Sequence, residues 1–448
     1  MLLSTRKILD KSFSFAGFFT IVLMIFSLLL ILTPIFYKGI QAYIFKGTIE
    51  YRRLMYEKYQ RGDAKEVEAD IKHLEECKNV IIKKIKTFEK EIDIEKRALR
   101  LKYKKDLKTL KSNLEELLGP INKSHKAVLW RNQYGETRWE KAEEKLHKVI
   151  FKSYWDYSDP SKMGVLIDKP RADDFKGTSL ESLFSYLQSD LDKILLPKWT
   201  FYFRFLTDSS NDAHFFGGIG PEVLGTIYLT MGAMFLSVPL GIIAAVYLSE
   251  YAKKGVMLSI LRSFVSTLAG VPSIVFGLFG LAFFINTIKL SESKSVLAGA
   301  ATLALLILPT IIRASEEAIK AVPNSYKEAS IGLGATKWHT VLHVILPNAL
   351  PGILTGIIIS MGRAAGETAP IIFTAAVSVG RPLNLTQIFS EPTPALSWNI
   401  FNLSTEHEAV DEIRHVQFGM VMTLIVIVLA LNLITLVIRA RVSKKLKG

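Results

Sequence analysis

The sequence predicts an all-α membrane protein: six transmembrane helices and one large, mostly helical hydrophilic insertion. Two observations predict it. Six apolar runs approach or exceed the roughly 20 residues that carry a helix across a bilayer, near residues 15–37, 223–248, 265–288, 296–312, 352–376 and 418–438. Charge is segregated away from them, because residues 38–220 hold 36 of the 56 Lys+Arg and 29 of the 42 Asp+Glu. That division reconciles a 49% hydrophobic composition and a mean hydropathy of +0.26 with a chain that is 22% charged.

The first run follows Arg6, Lys7 and Lys11, exceeds twenty residues and lacks an A-x-A-like site after it. It is expected to stay as a span rather than to be cleaved as a signal peptide. In the insertion, Asp63–Leu118 contains neither Gly nor Pro, and Gly119-Pro120 closes it. Val67, Ile71, Leu74, Ile81, Ile85, Phe88, Ile92 and Leu99 keep a mostly heptad spacing, which continues after Tyr103 through Leu107, Leu110, Leu114 and Leu117. This predicts one long helix over 63–118 with a coiled-coil seam. A partner helix is expected within 130–155, where Trp130, Trp139, Leu146, Ile150 and Trp155 recur. Residues 156–220 mix turns with aromatic pieces (Trp199, Phe201, Tyr202, Phe203, Phe205) suited to a membrane surface. The insertion reads either as a solvated charged hairpin or as a surface that recruits an external partner. Cys77 is the sole cysteine, so no internal disulfide forms. Within the second and third spans, Ser237–Gly241 and Leu268–Gly280 place Gly and Pro where helices bend or approach closely.

A net charge of +14 does not indicate nucleic acid, because opposite charges are closely mixed in the insertion and much of the remaining excess flanks the spans. Lys253, Lys254 and Arg262 lie between the second and third spans, and Arg313, Lys320, Lys327 and Lys337 between the fourth and fifth. Arg439, Arg441, Lys444, Lys445 and Lys447 close the chain. With six spans, these segments and the N-terminus share one side, which the positive-inside rule makes cytoplasmic. The insertion then lies outside.

Residues 325–347, between two apolar runs, carry two short helical patterns. Ser325 with Glu328 has capping-box spacing, Gly334 stands where a helix would stop, Thr336 can cap a second helix, and Pro347 is expected to end it. Such a helix–turn–helix at a membrane surface is a docking element. The fifth span holds Arg363 and Glu367, four residues apart on one helix face and near mid-bilayer when counted from Pro351, with Thr368 adjoining. Ionisable groups inside a span are costly and mark function by default. They read as a polar lining for an anion or as an ion pair that fixes packing. His339 and His343 lack a third metal ligand in the pattern and read as surface residues. No G-x-x-x-x-G-K-[ST] occurs, so the phosphate-cradling loop of ATP hydrolysis is missing.

Glu328-Ala329-Ser330, Gly334 and Val344-Ile345-Leu346-Pro347 resemble the EAA loop of ABC-importer permeases. Together with GTIYLTMGAMFLSVPLGIIAAVYLSEYA (225–252), LAGVPSIVFGLFG (268–280) and GRAAGETAP (362–370), they resemble the permease subunits of bacterial phosphate importers, the PstA family, over most of 222–440. The resemblance implies the type I importer permease (MetI-like) fold in a bacterial inner membrane, both termini cytoplasmic. It divides the chain into a tail and first span (1–37), an extracytoplasmic insertion (38–220), a permease domain (221–440) with a coupling loop near 315–347, and a basic tail (441–448). It implies a PstC-like partner permease, two PstB-like ATPases and a PstS-like binding protein, with no cofactor, metal or catalytic residue of its own. Glu328, Ala329, Ser330, Gly334, Leu346 and Pro347 would couple to the ATPase, and Arg363, Glu367 and Thr368 would line the substrate pathway. A permease for molybdate, sulfate or phosphonate is the near alternative; a membrane sensor with an external coiled coil is a more distant one. The insertion departs from the short outer loop expected in this family.

Overall fold

The computed structural model describes residues 3–94, 97–119, 136–157, 164–211, 213–407 and 409–446. They form two compact units, one of residues 43–202 and the other of residues 1–42 with 203–448. The second unit opens with α1 (Leu3–Gly39), an apolar helix that carries Pro34 inside it.

Residues 43–202 are built from α2 (Ile49–Tyr59), α3 (Ala64–Ile94), α4 (Arg97–Leu118), α5 (Trp139–Ile150) and α6 (Glu181–Leu195). Two antiparallel ribbons join them: β1 (Ile44–Gly47) pairs with β4 (Lys198–Phe201), and β2 (Phe151–Asp156) with β3 (Val165–Pro170). The heptad residues do face inward. Leu74, Ile81, Ile85 and Phe88 of α3 pack with Leu110, Leu114 and Leu117 of α4 and with Leu183, Leu187, Leu191 and Ile194 of α6 in one buried core. Each such side chain contributes about 1.5–3 kcal/mol on burial. The single long helix expected over 63–118 is instead a pair folded back on itself. Phe88 and Tyr103 have ring centroids 5.7 Å apart, whereas fifteen residues of straight helix would separate them by roughly 22 Å. Lys111 reaches Glu89 at 2.5 Å across the same seam.

The partner helix is shorter than expected: α5 spans Trp139–Ile150, and Trp155 belongs to β2 with its ring exposed. Trp130 and the side chain of Leu99 lie outside the described residues. Cys77 sits half-buried at the edge of the core, consistent with a small apolar filler. Of the aromatic run, Trp199, Phe201 and Phe203 are exposed while Tyr202 and Phe205 are buried; the first two lie on β4 and Phe203–Leu206 is a short 3-10 turn.

In the other unit a short ribbon, β5 (Ser210–Asn211) with β6 (Phe216–Gly217), follows the 43–202 segment. The helices after it are α7 (Gly220–Val246), α8 (Val256–Ala269), α9 (Ser273–Gly280), α10 (Val296–Lys320), α11 (Asn324–Gly332), α12 (Lys337–Thr340), α13 (Leu346–Gly366), α14 (Ala369–Thr374), α15 (Leu396–Thr405) and α16 (Arg414–Leu446). Among the described residues, five helical stretches are long and apolar enough to cross a membrane, or six if one bent pair counts as a span. The bent pair is the third expected span. It breaks by 97° between α8 and the stretch from Ser273 to Thr287. Pro272 stands at the break with extended backbone (ψ 139°), and a proline there disfavours helical backbone in the residue before it.

Helix α10 is buried along most of its length, and small residues let α7 and α13 close on it. A Cβ on Gly241 would stand 2.5 Å from Ile311, and one on Gly352 would stand 2.6 Å from Ala318. Lipid tails supply no hydrophobic drive between helices, so this close approach of backbones is what holds the bundle.

Candidate functional site

Two parts of this unit carry the predicted site residues. In the first, α11 starts one residue before Ser325, with Pro323 as its N-cap and no side-chain cap. The capping box expected of Ser325 and Glu328 therefore does not form: proline fixes the entry, and Ser325 is already inside the first turn. The far end is as expected. Gly334 has φ +84°, its N–H donates to the Ile331 carbonyl at 2.9 Å, and the Ala335 N–H donates to Ser330 at 3.2 Å. This is the Schellman pairing, and its αL position suits glycine. Thr336 caps α12, accepting from the His339 N–H at 3.3 Å.

Pro347 does not end the second helix. From Lys337 the chain runs as helix to Gly366, passing through a wider π-turn at Val341–Ile345 before α13. The widened turn re-routes the carbonyls around Pro347, which then sits at a first-turn position where its missing N–H costs little. The docking element is thus continuous with the fifth span.

Glu328, Ala329 and Gly334 are exposed, and Ser330 is half-buried with its hydroxyl 2.9 Å from that of Thr340. Leu346 and Pro347 lie elsewhere. They are partly buried, and Leu346 packs against the cluster of Ala245, Ile319, Val341 and Ile353. The six predicted coupling residues therefore divide into an outward set and a packing set. Tyr326, Ile331, Leu333 and Trp338 are exposed around the outward set, Leu333 at 90%. Lys327 pairs with Glu250, and Lys337 lies 4.9 Å above the Tyr251 ring, so the element is braced against the end of the second span. His339 and His343 stack at 4.1 Å, and no metal-ligand cluster occurs among the described residues.

The second part is the end of α13. The helix starts well before Pro351, so Arg363 lies in its last turn rather than midway along a continuous span. The backbone leaves the helix at Glu367 (ψ 130°) and re-enters it at α14. Arg363 Nε donates to Glu367 Oε1 at 3.2 Å, while the terminal nitrogens of the guanidinium make no hydrogen bond among the described residues. Ser397 at the start of α15 clasps the break: its hydroxyl donates to the Glu367 carbonyl at 3.1 Å, and Thr368 donates to the Ser397 carbonyl at 3.3 Å.

The model of the family described as "Binding-protein-dependent transport system inner membrane component" matches residues 237–448. A "Probable ABC transporter permease protein YqgI" of Bacillus subtilis is 33% identical over 277 residues, covering 60% of this chain and 91% of that protein. The chain belongs to the ABC-importer permeases. Within them it groups with PstA: a "Phosphate transport system permease protein PstA 1" of Mycobacterium tuberculosis is 38% identical over 50% of this chain and 71% of its own length. The PstA of Yersinia pestis is 34% identical over 58% and 83%.

The permease also holds a polar cluster that sequence reasoning missed. Glu222, in the first turn of α7, is fully buried and accepts from Asn399 Nδ2 at 3.1 Å, with His214 Nε2 at 2.8 Å from the same oxygen. His214 is itself held at φ +73°. Thr226 donates to the Glu222 carbonyl at 2.8 Å and accepts from the Leu396 N–H at 2.9 Å. The available signal was an acid in the first turn of an apolar span, but its partners come from eight and 177 residues away.

Proposed function

We propose that this permease is a subunit of an ATP-driven importer of inorganic phosphate. The carrying observation is Arg363: a guanidinium at a break in an otherwise apolar helix, half-neutralised by Glu367, its planar fork otherwise open. Discontinuous helices at which polar backbone meets a substrate are a recurring transporter device, and a guanidinium fork matches a tetrahedral oxyanion. Thr368 adds a hydroxyl beside it. Glu367 competes for Arg363, so anion binding is kept weak enough to release. The names of the PstA relatives favour phosphate over molybdate, sulfate or phosphonate.

In this reading Glu328, Ala329, Ser330 and Gly334, with the exposed apolar rim around them, seat in a groove of a PstB-like ATPase. Leu346 and Pro347 transmit its motion into α13. A PstC-like permease completes the pathway, a second ATPase the motor, and a PstS-like protein delivers phosphate from outside. The chain supplies no ATP hydrolysis itself. The excess of bases at both termini and the docking element supports a cytoplasmic place for them and an outside place for the insertion.

The test is ATP-dependent phosphate uptake into proteoliposomes holding both permeases and the ATPase, with binding protein supplied. Arg363→Ala is expected to abolish uptake while the complex still assembles. Normal uptake in that variant would remove Arg363 from the pathway, and uptake of molybdate or sulfate in preference to phosphate would reassign the substrate.

A further inference from the structure

We propose that a basic cavity beside α8 and the end of α10 binds a phosphate group, presented by an anionic phospholipid. The cavity measures about 660 Å³ and is lined by Lys254, Arg262 and Lys320. One acid faces these three bases: Glu316, mostly buried, lies 2.6 Å from Arg262 and 2.7 Å from Lys320. Two positive charges are left over. Arg313 bonds Ser266 of the lining and brings a fourth base to the rim.

The polar groups of the cavity are incompletely used. Arg262 Nε and Ser249 Oγ are buried without a hydrogen-bond partner among the described residues. Unmet buried donors cost about 1–3 kcal/mol each, and both belong to residues that line the cavity. Ser259 and Ser263 present further hydroxyls on the same face of α8.

The opposite face of that helix decides the source of the phosphate. Val256, Met257, Ile260 and Phe264 are exposed, three of them at 68% or more. A headgroup in the cavity and acyl chains along this apolar face account for both surfaces of one helix, whereas a free ion would leave the apolar face unused. Basic pockets between spans on the cytoplasmic side are a recognised lipid-headgroup geometry. Lys320 is the last residue of α10, directly before the docking element, so the occupant would sit beside the segment that meets the ATPase.

The experiment is native mass spectrometry of the full-length chain in detergent, titrated separately with phosphatidylglycerol, phosphatidylcholine and inorganic phosphate. Phosphatidylglycerol is expected to be retained in preference to phosphatidylcholine. Lys254→Gln should weaken that retention roughly fivefold, the effect of one base near an anionic lipid surface. Arg262→Gln should weaken it further, but that variant also removes one of the two basic partners of Glu316, so Lys254→Gln with Ser263→Ala serves as the control that leaves both ion pairs intact. Retention of inorganic phosphate without lipid selectivity, lost in the same variants, would keep the site and assign it to the free ion. Equal retention of both lipids with no phosphate bound, or variants indistinguishable from the parent, would overturn the proposal.

Discussion

Replacing Gly334 separates backbone geometry from every other property of the docking element. A Cβ at this position would meet nothing within 4 Å, so no steric clash contributes. What remains is the conformation: φ +84° is αL, which costs an ordinary L-residue roughly 1–2 kcal/mol. That is a factor of about 5–30 in the population of the turn. Asparagine tolerates αL far better than alanine. Gly334→Ala should therefore raise the ATPase concentration needed for half-maximal association with the permease complex by roughly that factor, and Gly334→Asn by much less. The assay is a titration of ATPase onto reconstituted permease pairs, with uptake per ATP hydrolysed measured on the same vesicles. Should Asn prove as damaging as Ala, bulk at the contact surface rather than backbone geometry would be the requirement. Should both behave as glycine, the turn would not be part of the coupling surface.

Three further outcomes follow from the structure. His214→Ala leaves the buried Glu222 side chain with one side-chain donor, and the chain should lose roughly 1–3 kcal/mol, read as a lowered thermal midpoint in detergent; an unchanged midpoint would mean the cluster is rebuilt or hydrated. In the 43–202 unit, burial foremost, with Glu50 nearby, holds the Glu136 carboxyl well above its ordinary value of 4.5. The folded state then binds the extra proton, so stability falls as pH rises through the window above 4.5. Glu136→Gln should accordingly stabilise the chain at pH 7 by roughly 1–3 kcal/mol and lose that advantage below pH 4.5, and a constant difference from pH 4 to 8 would refute the assignment. Glu367→Gln should free Arg363 to hold the anion more tightly, lowering both the half-saturating phosphate concentration and the maximal uptake rate; a raised half-saturation would show that Glu367 positions Arg363 instead of restraining it.

The spans were legible because membrane insertion is written in composition, and twenty apolar residues admit few readings. The break in the third was legible too, since Pro272 is a local cause. The reversal between α3 and α4 was not. A heptad stripe looks the same whether the helix continues or folds back against itself, and no Gly or Pro marks the turn. Pro347 misled in the opposite way: a proline stops a regular helix, but a π-turn just before it absorbs the lost hydrogen bond. Thr336 and Gly334 were readable because their caps are made within three to five residues. The Glu222 cluster was unreadable because its partners meet only once α7, α15 and the loop before them have packed.

The displacement of Arg363 from mid-helix to helix end changes what the pair can do. In a continuous helix, Arg363 and Glu367 would be fixed one turn apart, with the backbone hydrogen bonds of both residues consumed. At the end of α13, Glu367 has extended backbone and is held by Ser397 through its carbonyl, not its carboxylate. Its side chain can swing away from Arg363 without unwinding anything. Arg363 meanwhile lies in the last turn of α13, where the partial negative charge of a helix C-terminus favours a cation. A fixed ion pair serves packing; in the proposed pathway, a pair with one hinged member, beside a helix end that stabilises the other, would exchange a carboxylate for an oxyanion and back again.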